Sequence, residues 1–112
     1  RSWYRATNAS RSFASGRLER FARRHAEAGG TGRRYEFSWG VGRNPVAAAH
    51  ISELPLLFPG HDVWEHTPLV DGHTWARVVH DGARLRRAWA DFARGQAPDS
   101  DPQAGLRVFP LE

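Results

Sequence analysis

One alternating run, Tyr35-Glu36-Phe37-Ser38-Trp39, stands between two helical periodicities and constrains this chain more than any other feature. Alternation puts Tyr35, Phe37 and Trp39 on one face and Arg34, Glu36 and Ser38 on the other, which predicts a strand over 35–39. A strand needs neighbours for its backbone N–H and C=O groups, and no second strand is legible here. The partners of this strand are therefore expected from sequence outside the chain, with helices covering the faces of the sheet. That is an α/β arrangement, mostly helical within these 112 residues.

The two helices are read from apolar stripes of period 3.6. In the first, expected over 10–28, Ala14, Leu18, Phe21, Ala22 and His25 make the stripe and arginines cover most of the remaining surface. Asn8 or Ser10 is its expected cap, Gly29-Gly30 its stop, and His25 suits the negative end of its dipole. The second, over 74–94, has Trp75, Val78, Val79, Leu85, Trp89 and Phe92 as its buried face and Gly95 as its stop. Gly82 inside it is an expected weak point of up to ~1 kcal/mol relative to alanine.

Between strand and second helix, Gly40-Val41-Gly42-Arg43-Asn44-Pro45 must be loop. It leads to Ala47-Ala48-Ala49-His50, and then to a compact apolar turn, Ile51-Ser52-Glu53-Leu54-Pro55-Leu56-Leu57-Phe58. A histidine after a strand and a flexible loop, followed by a short helix, is how an α/β-hydrolase presents the base of its catalytic triad. The segment resembles the His-x-x-Glu-[Leu/Ile]-Pro-[Phe/Tyr]-[Val/Leu]-Phe stretch of the type-B carboxylesterases, the family of the cholinesterases. About 40 residues on, Trp89-Ala90-Asp91-Phe92-Ala93-Arg94-Gly95 with Pro98 resembles that family's Trp-x-x-Phe-Ala-x-x-Gly-x-Pro signature. The tail Gly105-Leu106-Arg107-Val108-Phe109-Pro110 resembles its Trp-Pro-x-Tyr ending, with Phe109 where tryptophan is usual. Near the histidine, Ala47 stands for a common glycine, Ile51 for a small residue and Leu56 for an aromatic one.

The resemblance covers residues 35–110 and implies one partial domain, 1–112, the C-terminal portion of an α/β-hydrolase fold: helix, strand, histidine loop, short helix, long helix and tail. It implies a parent serine esterase in which His50 is the catalytic base, acting on a carboxylic ester without metal or organic cofactor. Glu53, three residues after the base on a short helix, is expected to be structural or to support the site rather than to be the triad acid. In the order serine, acid, histidine, only the histidine belongs to a C-terminal segment. No Gly-x-Ser-x-Gly elbow is present, since Ala14-Ser15-Gly16 lies within a helical pattern. The segment alone is thus expected to be inactive, and its expected partners are the remainder of the hydrolase chain or a second copy of itself.

Composition bounds the alternatives. All 16 basic residues are arginines, methionine is absent, and the chain opens at Arg1-Ser2-Trp3, so a piece of something longer is expected. The formal charge of +4 admits a small arginine-rich module binding nucleic acid or another acidic partner, but the arginines are scattered and often near acids. One continuous basic face would favour that module, and dispersal the hydrolase segment. No run nears the ~20 apolar residues that span a bilayer. The lack of cysteine excludes disulfides and thiolate-ligated zinc and leaves the compartment open. His61, Asp62, Glu65, His66, Asp71, His73 and His80 are metal-ligand types, with His73 and His80 candidates for one helix face, but their spacing matches no metalloprotease pattern.

Overall fold

A computed structural model describes residues 2–6, 14–47, 49 and 51–109. Its sheet has three strands, β1 (Ser2–Ala6), β2 (Gly32–Phe37) and β3 (Leu106–Val108), in the order β1-β2-β3. Strand β1 runs parallel to β2, with Ser2 opposite Gly32 and Ala6 opposite Glu36. Parallel neighbours need a long crossover, which helix α1 (Ala14–Glu27) supplies while packing on both strands. On the other side β3 pairs antiparallel, setting Tyr35 against Val108 and Phe37 against Leu106.

The expectation of a lone strand is therefore corrected: β2 has neighbours on both sides within this chain. Neither neighbour has a readable pattern, since β3 is only three residues long and β1 takes its partner from a distant segment. The strand also differs in extent, running from Gly32 to Phe37 and ending before Trp39. Tyr35 and Phe37 are buried as the alternation requires, and Trp39 is buried from the turn that follows.

Helix α4 (Trp75–Ala93) is capped by Thr74, whose hydroxyl accepts from the Arg77 amide at 3.2 Å. Its packed face is Val78, Asp81, Gly82, Leu85 and Ala88, with Trp75, Trp89 and Phe92 half-buried. Val79 lies off this face, one residue round the cylinder from Val78, and is exposed. In α1 the described helix begins at Ala14, and the predicted caps Asn8 and Ser10 lie outside the described residues. Leu18, Ala22 and His25 are half-buried there, whereas Phe21 is 58% exposed, at the edge of the stripe among Arg17, Arg20 and Arg24.

Two short helices, α2 (Leu54–Leu57) and α3 (His61–Trp64), connect the loop region to α4. Leu56 is fully buried and joins Tyr35, Phe37, Val78, Leu85 and Leu106 in one core. Gly82 is what lets α2 sit against α4. A Cβ there would lie 2.6 Å from the Leu56 carbonyl oxygen, which also accepts from Arg86 Nη1 at 2.6 Å. The expected weak point is thus a contact that only glycine permits.

The far end is closed by a 3₁₀ turn at Pro102–Ala104, capped by Asp101, whose Oδ1 accepts from the Gln103 and Ala104 amides. Gly105 follows at φ 64°, and a side chain there would collide with the Trp39 backbone. Among the described residues no helix is long and apolar enough to cross a membrane.

Candidate functional site

The loop after β2 is pinned at several points. Asn44, 7% exposed, donates through Nδ2 to the Pro68 carbonyl at 2.7 Å and accepts the Val46 amide on Oδ1 at 2.9 Å. Such an Asx turn is what asparagine before proline favours. The Ala49 amide closes on the Val46 carbonyl and the Ser52 amide on the Ala49 carbonyl.

His50, the predicted base, lies outside the described residues, as does Ala48. Its flanks are described. Ile51 stands at φ 65°, the only non-glycine residue among those described with positive φ. A β-branched side chain resists that region, so the backbone is strained beside the histidine. A small residue would relieve the strain, and the resemblance expects one there. Glu53 is half-buried at the start of α2, and its backbone carbonyl accepts from the Leu56 and Leu57 amides at 3.0 Å.

Sequence reasoning passed over a second cluster, centred on Asp81. This carboxylate is 2% exposed, on the packed face of α4. Its Oδ2 accepts from the Trp39 indole Nε1–H at 2.9 Å and pairs with Arg77 Nε at 3.0 Å. Its Oδ1 meets His80 Nδ1 at 3.0 Å and accepts from Gln103 Nε2 at 3.4 Å. Burial pushes the Asp81 carboxyl up, but the bonds from Trp39 and His80, the Arg77 charge and the Gln103 bond outweigh it and hold the carboxyl below its ordinary value. One buried charge thus ties the turn after β2, helix α4 and the 3₁₀ turn together. A signal was present in the sequence: a carboxylate three residues after Val78 and four before Leu85 sits at a core position, with Arg77 at i−4.

His73 stacks on Trp39, ring centres 4.0 Å apart and planes 26° from parallel. Burial, then the charge of Arg43, lower its pKa, Asp81 raises it and Arg77 lowers it again, leaving the imidazole below its ordinary value. Its Nε2 is buried with no hydrogen-bond partner among the described residues. Trp39, Arg43, His73, Arg77, Asp81 and Gln103 line an open cleft of about 290 Å³.

The metal-ligand candidates are dispersed. Glu65 lies between His61, at 2.8 Å from Nε2, and His66, at 3.2 Å. His73 stacks on Trp39 and His80 faces Asp81. His73 precedes the Thr74 cap, so it shares no helix face with His80. Among the described residues no group of three or more His, Asp or Glu is placed to hold a metal ion.

The arginines are spread over α1, β2, the loop, α4 and β3. Several are engaged: Arg84 with Asp101 at 2.8 Å, Arg94 with Asp91 at 3.8 Å and Arg107 with Glu36 at 3.9 Å. Arg34 and Arg107 also lie over the Phe109 ring.

Comparison with known proteins gives one partial likeness. The chain is 34% identical over 79 residues to a probable N-octanoylanthranilate hydrolase of Rhodococcus erythropolis, across 67% of this chain and 16% of that protein. The chain therefore spans about 16% of the length of the relative it matches. It is similar to a segment of a protein named a hydrolase. No family model matches. No solved structure matches either.

Proposed function

We propose that this chain is the C-terminal segment of a serine ester hydrolase with an α/β-hydrolase fold, of the type-B carboxylesterase kind, and that His50 is its general base. The observation that carries the reading is the likeness to a hydrolase-named relative, in a chain where a histidine follows a strand and a loop and precedes a short helix. The strained backbone at Ile51, directly after His50, supports it, because strain of this kind gathers at functional sites. Dispersal of the arginines favours it over a module for nucleic acid or another acidic partner.

In this reading a serine from the remainder of the parent attacks the ester carbonyl. His50 accepts the serine proton and then returns it to the departing alcohol. Neutral imidazole, with an ordinary pKa of ~6.5, serves both steps near pH 7. An acyl-serine forms, and water attacks it with His50 again as base. No metal or organic cofactor is needed. The relative's named substrate is an N-acyl compound, so acyl transfer from such a compound falls within the same chemistry. Glu53 holds the start of α2 and leaves the triad acid to be supplied elsewhere. Exposed Phe58 and Val63, 67% and 66% open, suit coverage by the remainder of the parent chain.

Fluorophosphonate labelling of the full-length gene product, followed by peptide mass mapping, tests this. The expected result is one modified serine, N-terminal to this segment, with loss of ester hydrolysis. An active enzyme that takes up no label would refute the serine mechanism.

A further inference from the structure

Outside the proposed triad, the cleft bounded by the turn after β2, the start of α4 and the 3₁₀ turn carries an assignment of its own. Arg43, Arg77 and His73 line it, with Trp39 and Gln103, and among the described residues its only carboxylate is Asp81. That carboxylate is fully used. Oδ2 is taken by Trp39 and Arg77, and Oδ1 by His80 and Gln103, which fills the acceptor positions a carboxylate has. Arg77 spends its Nε on Asp81, and its charge is balanced there. Arg43 is exposed and has no carboxylate partner among the described residues. Among the described residues the cleft is thus left with one cation in excess and with guanidinium donors lacking an acceptor.

We propose that this cleft is a binding site for a small organic carboxylate, held chiefly by the Arg43 guanidinium beside the His73–Trp39 stack. A guanidinium fork matches the two oxygens of a carboxylate, and a charge-assisted pair of this kind is among the stronger polar contacts available. The backbone that carries Arg43 is fixed. Its amide bonds to the Gly40 carbonyl at 3.0 Å, and its backbone carbonyl passes so close to Gly72 that a Cβ there would lie 2.6 Å away. The field already points this way, since Arg43 and Arg77 both disfavour a proton on His73. An anion bound there would offset those two charges and raise the His73 pKa. The proposal does not rest on the hydrolase reading and needs no turnover to be examined.

The test is a benzoate titration of the 112-residue chain at constant ionic strength, followed by the NMR signals of the Trp39 indole N–H and the Arg43 amide. Saturating shifts with a Kd of about 1–10 mM are expected. Arg43→Gln should weaken binding at least tenfold, while Arg87→Gln, on the exposed side of α4, should leave it unchanged. Arg43 is a surface residue, so an unaltered spectrum away from the cleft certifies the variant's fold. Absence of saturation by about 50 mM, or an Arg43→Gln variant that binds as well as wild type, overturns the proposal. Inorganic phosphate is the competitor. If it binds the same residues more tightly than benzoate, the assignment to a carboxylate is overturned in favour of a phosphate site.

Discussion

Replacing Asp81 by alanine removes a buried side chain that joins the turn after β2, helix α4 and the 3₁₀ turn. The cost is assembled from its partners. Trp39 is 6% exposed, and its indole N–H loses a 2.9 Å acceptor, which leaves a buried donor unsatisfied at ~1–3 kcal/mol. Arg77 and His80 are 51% and 58% exposed and return to water, so each adds ~0.5 kcal/mol or less. A small cavity adds ~1 kcal/mol. The expected total is ~2–5 kcal/mol, a large share of the ~5–15 kcal/mol that holds a domain together. Asp81→Asn keeps the shape and one oxygen for Trp39, so it should cost less, ~0.5–1.5 kcal/mol. Urea unfolding at pH 7, followed by tryptophan fluorescence, gives both values. An alanine variant within ~0.5 kcal/mol of wild type would refute the reasoning, and so would an asparagine variant less stable than the alanine one. The pH dependence supplies a second check. The folded Asp81 pKa lies below its ordinary 3.8, so its stabilisation is complete above that value and is lost as pH falls through the folded one. His73 acts in the same direction: its folded pKa lies below 6.5, the unfolded chain takes the proton first, and stability declines as pH falls from 6.5 to the folded value. In Asp81→Asn the lower limb should disappear, while the limb below 6.5 should extend further down, because the Asp81 charge that raises the His73 pKa is gone.

Gly82→Ala should lower the melting temperature, by ~1–3 kcal/mol in stability, because its Cβ meets the Leu56 carbonyl; a rise would mean that helix propensity outweighs the α2–α4 contact. Ile51→Gly should stabilise the chain by ~0.5–1 kcal/mol through relief of its positive φ, and a destabilised variant in a thermal melt would show that the side chain matters more than the backbone. The chain by itself should hydrolyse a p-nitrophenyl ester no faster than free histidine does, and turnover abolished by His50→Ala in this chain would reveal a complete site.

What was legible in the sequence was local. Helix α4 could be read closely because Thr74 and Gly95 punctuate a long stripe, and the burial of Tyr35 and Phe37 follows from simple alternation. The sheet was not legible. Strand β1 pairs with β2 across the whole of α1, and β3 is too short to show a period, so both depend on tertiary contacts. Gly82 looked like a cost because propensity knows nothing of the Leu56 carbonyl. The Asp81 cluster had a sequence signature, an acid on an apolar stripe, but its Trp39 partner lies 42 residues away and only the fold unites them. Charge gave no such help with Arg43, whose neighbours in the cleft come from three separate segments.

The central claim, that His50 is the base of a serine hydrolase, is tested most directly by ester turnover in the full-length gene product with and without His50→Ala. The account predicts a fall in kcat of about 10⁴-fold or more, with an unchanged thermal melt and little change in KM. A variant that keeps its turnover to within about tenfold, while remaining folded, would contradict it.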